Sequence, residues 1–139
     1  MISGEYSHTL DAKNRVTLPS KLREQLGGAV VMTKSVDKCI LLYPIDSWTE
    51  YTDRLEKLPE TETRRVKRYI YSSAFETSVD VHGRVLIAQN LCDYAELKKN
   101  ITIIGMGNHV EIWDEDEWKR EMNAENADEI ASLLIKLGF

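Results

Sequence analysis

The chain has 139 residues, enough for one compact domain or two very small ones, which excludes large barrels and dinucleotide-binding folds with a separate substrate domain. Its 42% hydrophobic and 29% charged residues are typical of a globular protein and exclude a disordered or fibrous one. The net charge is −5, yet of the 18 basic and 23 acidic residues, positions 114–139 hold three and eight, which leaves 15 of each in positions 1–113. The acidity lies in the carboxy-terminal tail, so the rest of the chain can still carry a DNA-binding surface.

The sequence predicts a cytoplasmic protein. Its longest apolar runs are far shorter than the roughly 18–20 residues of a membrane-spanning helix, and positions 1–5 lack the features of a secretion signal. In a reducing compartment, Cys39 and Cys92 are expected to be buried free thiols rather than a disulfide. Neither cysteine has metal-ligand spacing, and nothing in the sequence calls for a metal, an organic cofactor or a small-molecule substrate.

The chain contains an internal repeat. Residues 6–18 (YSHTLDAKNRVTL) align with residues 75–87 (FETSVDVHGRVLI) at a constant offset of 69. Aromatic, apolar, Asp, Arg and Val positions coincide, and the alignment continues to Leu22 over Leu91 before it slips by about one residue. The two halves are therefore predicted to share one architecture.

Each half is predicted to run strand, tight turn, strand, short helix and hairpin, followed by a longer helix. The predicted elements of the first half lie at about 5–10, 15–18, 20–26, 29–33 and 40–43. Those of the second half lie at about 74–79, 84–87, 89–95, 101–104 and 110–113. In the first half, Ser47 to Glu50 has capping-box spacing at the start of the longer helix. That helix is expected to bury a stripe of Trp48, Tyr51, Leu55 and Leu58.

Two further helices are predicted outside the repeat. Pro59 separates the first half from a helix at about 60–73. In this helix, Val66, Tyr69 and Ile70 are expected to face inward, which leaves the arginines of the run Arg64 to Arg68 largely exposed. Apolar residues from Ala127 to Leu137 recur at helical spacing and predict an amphipathic helix in the acidic tail.

The two halves are expected to share one core, because a unit of about 50 residues with short strands buries too little apolar surface alone. We therefore predict an α+β fold, mainly β, in which strands of each half complete the sheet of the other as an interleaved barrel with flanking helices. The expected boundaries are a first module at 5–47, a helical connector at 48–73, a second module at 74–117 and an acidic helical tail at 118–139.

The most informative motif is the turn D-x-x-x-R, present in both halves. Asn14 and Gly83 occupy equivalent positions in it, and glycine and asparagine are the residues that best tolerate positive φ, so each is predicted to be left-handed. Asp11 and Asp80 can accept backbone N–H bonds or pair with the arginine of their own turn. On that structural interpretation, these aspartates position the loop and have no other role.

A functional interpretation is also open for the same turns. The first turn would present Lys13, Asn14 and Arg15 to a polyanion, and the second would present His82 and Arg84. Arginine can clamp phosphate and can also recognise guanine through two hydrogen bonds. Because His82 replaces Lys13, we expect the second turn to be less basic and to contribute less to DNA binding.

The doubled motif, D-A-K-N-R before V-T-L-P and D-V-H-G-R before V-L-I, resembles the two swapped-hairpin modules of the bacterial MraZ family, which are related to AbrB/SpoVT regulators. The match covers Met1 to about Arg120. The resemblance implies a pseudo-two-fold swapped-hairpin barrel and a transcriptional regulator that binds double-stranded DNA. It implies binding to short repeats in its own promoter, upstream of a cell-division and cell-wall gene cluster, association with the nucleoid, and homo-oligomeric rings of octamer class or larger. The family's paired motif falls on Asp11, Arg15, Asp80 and Arg84. Ala88 departs from the Pro19 of the first copy.

Other functions stay open on the sequence. His8, His82 and His109 with Asp11 and Asp80 could form an acid–base site, but no nucleophile, metal or phosphate-loop motif accompanies them, so an enzyme is not expected. An antitoxin-like interaction or assembly module without DNA binding is the alternative. The tail could solubilise the protein or pair with a neighbour's basic face. RNA binding is less favoured, since the turns lack aromatic residues for base stacking.

Overall fold

The computed structural model describes residues 1–124 and 126–139 and contains two similar halves joined by a helix. The first half consists, in chain order, of β1 (Glu5–Thr9), β2 (Arg15–Thr17), α1 (Ser20–Leu26), β3 (Ala29–Lys34), β4 (Ile40–Pro44) and α2 (Ile45–Glu56). Helix α3 (Glu60–Tyr71) connects it to the second half. The second half consists of β5 (Phe75–Ser78), β6 (Arg84–Leu86), α4 (Gln89–Tyr94), β7 (Asn100–Gly105), β8 (Val110–Asp114) and α5 (Glu115–Ala124), and is followed by α6 (Ala127–Lys136). The repeat found in the sequence is therefore a repeat of structure.

The strands of the two halves interleave in one antiparallel sheet. Its order is β1-β7-β8-β4-β3-β5. Exchanging each strand for its counterpart in the other half gives the same order read from the opposite end of the sheet. Strand β1 pairs with β7 of the second half, and β5 pairs with β3 of the first. Strands β4 and β8 pair at the centre. These pairings define a sheet with two ends, β1 and β5, and a separate two-stranded ladder of β2 with β6.

One hydrophobic core serves both halves. The fully buried side chains come in similar number from each, and include Leu18, Leu22, Val30, Met32, Ile40 and Leu42 with Ile87, Leu91, Ile101, Ile103, Val110 and Ile112. Alternate residues of β3 and β7 point into this cluster, as the two-residue period of a strand requires. The predicted shared core is confirmed. Cys39 and Cys92 are buried free thiols, and burial raises the pKa of Cys39 to about 12.

The structure corrects three local expectations. Ser47 does not cap α2, because that helix begins at Ile45 directly after Pro44, whose φ of −63° already suits a helix start. Leu58 lies beyond the end of α2 and is exposed. Val66 lines a groove on the same side of α3 as Tyr69 and Ile70, but it is 42% exposed instead of buried. The amphipathic helix predicted in the tail is present as α6, and its apolar residues are exposed in the single chain.

Candidate functional site

The first turn, residues 11–15, is held together by one carboxylate. Asp11 Oδ1 accepts hydrogen bonds from the backbone N–H groups of Lys13 at 2.9 Å and Arg15 at 2.8 Å. Its Oδ2 accepts from Nε of Arg15 at 2.8 Å. The backbone N–H of Asn14 donates to the Asp11 carbonyl at 3.0 Å and closes the turn. One side chain thus fixes both the loop backbone and the arginine that projects from it.

The second turn, residues 80–84, repeats this geometry. Asp80 Oδ1 accepts from the backbone N–H groups of His82 at 2.9 Å and Arg84 at 2.8 Å, and Oδ2 accepts from Nε of Arg84 at 2.9 Å. Gly83 N–H donates to the Asp80 carbonyl at 3.0 Å.

The residue before each arginine is left-handed, with φ of 59° at Asn14 and 78° at Gly83, which confirms the prediction. Each of these residues also joins the two halves. The Asn14 carbonyl accepts from the Ile87 amide at 2.8 Å, and the Gly83 carbonyl accepts from the Leu18 amide at 2.9 Å. The turns are therefore fixed by the opposite half as well as by their own aspartate.

The β2–β6 ladder brings the two arginines onto one face. Val16 pairs with Val85, and both side chains are buried in the core. Because side chains alternate along a strand, the neighbours of these valines point outward. Arg15 lies opposite Leu86, and Arg84 opposite Thr17, so the arginines are diagonal neighbours on the outer face. Their Cα atoms are about 7–8 Å apart in such a geometry.

The hydrogen bonds at each turn keep the aspartates ionised. They lower the pKa of Asp11, foremost through the N–H of Arg15, and the pKa of Asp80, foremost through the N–H of Arg84. Each Asp–Arg pair therefore carries no net charge at neutral pH. Each guanidinium uses only Nε for its aspartate, and its two terminal nitrogens form no ion pair with the residues that the structure describes, so they can bind another group.

Lys13 and His82 are both exposed at the outer edge of their turns. Lys13 makes no ion pair with any residue in 1–124 or 126–139. It is therefore a cation whose charge is not balanced by its own turn, unlike Arg15.

The histidines that suggested an acid–base site have separate surroundings. His109 stacks on Tyr43 with ring centroids 4.8 Å apart, and burial lowers its pKa. Burial also lowers the pKa of His8 in β1. Asp11 and Asp80 are occupied by their own turns. Over the described part of the chain, no group of three or more His, Cys, Asp or Glu side chains is placed to hold a metal ion. No helix in that part has the length and apolar character needed to cross a membrane.

The chain matches one known protein family over most of its length. The family described as "MraZ protein, putative antitoxin-like" matches the chain twice, at residues 1–69 and 70–133. The chain belongs to the MraZ family. It is 44% identical over 143 aligned residues to a protein of Caldicellulosiruptor saccharolyticus named transcriptional regulator MraZ, with 100% of both chains covered. Proteins of the same name from Clostridium tetani and Clostridium beijerinckii are 42% and 44% identical over the same length, again covering 100% of both chains.

Several side chains at the turns of this MraZ-family protein were not predicted from the sequence. Thr17 and Leu86 share the outer face of the ladder with the arginines, and the strand period alone could have placed them there. Gln89 of α4 accepts a hydrogen bond from the Asn14 side chain at 2.7 Å. Arg23 of α1 lies against Gly83. Nothing in the linear sequence indicates these last two contacts, because each joins residues at least 60 positions apart.

Proposed function

We propose that this protein is a sequence-specific, DNA-binding transcriptional regulator without enzymatic activity. Its DNA-binding residues would be Lys13, Asn14, Arg15, His82 and Arg84, with Asp11, Asp80 and Gly83 positioning the turns. Its targets would be short repeats of double-stranded DNA in its own promoter, upstream of a cell-division and cell-wall gene cluster. Proteins that match this chain over its full length are named transcriptional regulators, which supports this role. The protein would act in the cytoplasm, associated with the nucleoid.

The observation that carries the proposal is the pair of arginines on the outer face of the β2–β6 ladder. The major groove of B-DNA is about 12 Å wide and admits a two-stranded β-ribbon. Arg15 and Arg84 project from the same side of such a ribbon, with Val16 and Val85 anchoring its other side in the core. This geometry lets both arginines reach base edges in one groove.

The charge distribution favours base recognition by these arginines. Each is neutralised by its own aspartate, so it attracts phosphate less than a free arginine would, while its terminal N–H groups keep the fork that matches O6 and N7 of guanine. Thr17 and Leu86 would add apolar contacts to thymine methyl groups. Lys13, whose charge is unpaired, is suited to a phosphate.

We also propose that the fold closes into a pseudo-two-fold swapped-hairpin barrel. Contacts of the β2–β6 ladder with the strands at both ends of the sheet support this proposal. Leu10 after β1 bridges to Val16 of β2, and the Asp80 amide after β5 donates to the Arg84 carbonyl of β6. The modules would be residues 5–47 and 74–117, with a helical connector at 48–73 and an acidic tail at 118–139.

The proposed active form is a homo-oligomeric ring of octamer class or larger. One chain offers DNA few cations, whereas several linked turns on successive repeats gain affinity through effective concentration. Helix α6 supports assembly with further copies, because its apolar residues Leu133 and Ile135, and Leu137 directly after it, are exposed in the single chain. The acidic tail is complementary in charge to the exposed Arg64, Arg65 and Arg68 of α3 on a neighbouring copy.

A second candidate is an antitoxin-like interaction module that does not bind DNA. The exposed apolar face of α6 favours it, since such a face also suits a protein partner. Oligomers that depend on salt but show no affinity for DNA would support this alternative.

The test is a titration of duplex DNA from the region upstream of the protein's own gene, at several salt concentrations, against an unrelated duplex of equal length. We expect tight, steeply salt-dependent binding to the upstream duplex that Arg15→Ala and Arg84→Ala each reduce without unfolding the protein. In parallel, Ile135→Asp in α6 is expected to break the ring and most of the binding while the turns stay folded. A folded oligomer that binds neither duplex would overturn the proposal.

A further inference from the structure

The side chain of Arg23, from α1 of the first half, lies against the second turn at Gly83. Gly83 at the apex of that turn is buried and has a φ of +78°. A β-carbon placed on Gly83 would be 2.6 Å from Cζ of Arg23, 2.8 Å from its Cδ and closer still to Nη1. A glycine is therefore needed here for two reasons, the backbone conformation and the room that the arginine occupies.

Among residues 1–124 and 126–139, Arg23 has no counter-charge. Its Nε is buried without a hydrogen-bond partner, and no carboxylate among residues 1–124 and 126–139 forms an ion pair with its guanidinium. A buried donor without a partner costs free energy, so its retention calls for an explanation. Arg15 and Arg84 differ in this respect, since each is paired with its own aspartate. The residue as a whole is partly exposed, and Nε is its one nitrogen that is buried without a partner, so the terminal nitrogens of the guanidinium are open to an external anion.

The equivalent place in the first turn is filled by neutral groups. There, Asn14 Nδ2 donates to Oε1 of Gln89, which belongs to α4 of the second half. The unpaired cation of the first turn is Lys13, which belongs to the turn itself. The second turn has His82 at the equivalent position. The short helix of the opposite half packs on each turn, but only α1 brings a cation to it.

We propose that Arg23 binds a DNA phosphate beside the second turn and supplies the cation that His82 does not. The inference rests on the proposed DNA-binding function. Each turn then has one arginine, paired with its aspartate, that contacts a base edge, and one unpaired cation that contacts the DNA backbone. For the second turn, this cation comes from the other half of the chain. The two turns become closer in charge than their sequences indicate.

The test uses the full-length protein and the upstream duplex. Arg23→Gln is expected to weaken binding roughly tenfold and to reduce the slope of log affinity against log salt by about one per turn engaged. Lys21→Gln removes the same charge from an exposed position of the same helix and is expected to leave affinity and slope close to those of the wild type. Arg23→Lys keeps the charge and is expected to restore most of the affinity, which a purely packing role would not produce.

A second experiment tests the contact between Arg23 and Gly83 without DNA. Gly83→Asn places in the second turn the residue that the first turn already uses, so the positive φ is tolerated and the new side chain competes with Arg23 for space. We expect Gly83→Asn to lower the urea midpoint in the wild type and to lower it much less when Arg23 is already alanine.

The outcomes separate the two claims. If the wild type binds the duplex, Arg15→Ala abolishes binding and Arg23→Gln matches Lys21→Gln, the role of Arg23 is refuted and the proposed function stands. If the folded wild type binds no DNA, both fall.

Discussion

The side chain of Asn14 donates a hydrogen bond from Nδ2 to Oε1 of Gln89 at 2.7 Å, and so joins the first turn to a helix of the other half. Asn14 is also left-handed, with φ of 59°. Asn14→Ala should therefore destabilise the protein by roughly 1–2 kcal/mol, mainly through the cost of a left-handed alanine. The measurement is the free energy of unfolding in urea.

Asn14→Gly separates the two contributions. Glycine loses the bond to Gln89 but adopts the positive φ without strain, so its cost should be smaller than that of alanine. Equal destabilisation by both substitutions would show that the turn does not depend on the left-handed conformation.

Asp11 provides a test in which charge and positioning predict opposite results. Asp11→Ala removes a negative charge from the surface, which by itself would strengthen DNA binding. It also removes the three hydrogen bonds that fix the turn and Arg15. We expect positioning to dominate and the affinity for the upstream duplex to fall severalfold.

The charge-matched control is Asp53→Ala, on the exposed side of α2. It should leave binding unchanged or slightly stronger. An Asp11→Ala protein that binds DNA at least as well as this control would exclude the positioning role.

The turn conformations could be predicted from sequence, but the contacts between halves could not. Asn14 and Gly83 occupy equivalent positions of the repeat, and both residue types tolerate positive φ, so the left-handed conformation of each could be predicted. Gly83 is also required by Arg23, a contact that arises only when α1 packs on the opposite half. The prediction that Ser47 caps α2 was wrong, because a four-residue motif does not by itself determine where a helix begins. Pro44 precedes the first residue of the helix, so the helix begins at Ile45. The repeat likewise indicated two equal halves without showing that β1 would pair with β7.

The shared core predicts that equivalent leucines in the two halves contribute equally to one cooperative unit. Leu22 and Leu91 occupy matching positions and are 0% and 1% exposed. Leu22→Ala and Leu91→Ala should each cost about 3 kcal/mol, within the range for buried leucines. Both variants should unfold in one transition by circular dichroism and by tryptophan fluorescence.

Leu58→Ala is the control for this pair, because Leu58 is 53% exposed, and its effect should stay within about 0.5 kcal/mol. Separate transitions for the two halves would contradict a common core.

Burial of His109 predicts that the protein loses stability as the pH falls below neutral. The ring stacks on Tyr43, and burial lowers its pKa in the folded state below the unfolded value of 6.5. The unfolded chain therefore binds more protons between these two pKa values, so stability is full above pH 6.5 and declines as the pH falls through the folded pKa.

The variant His109→Phe tests this prediction, because it keeps an aromatic ring on Tyr43 but cannot titrate. In urea unfolding at pH 7.5 and pH 5.5, the loss of stability should be smaller in this variant than in the wild type. His8, whose pKa burial also lowers, contributes to the loss that remains in the variant. Glu111, whose pKa burial raises, acts in the opposite sense but is common to both proteins and cancels in the comparison. An identical pH dependence in the two proteins would mean that His109 is as easily protonated in the folded state as in the unfolded chain.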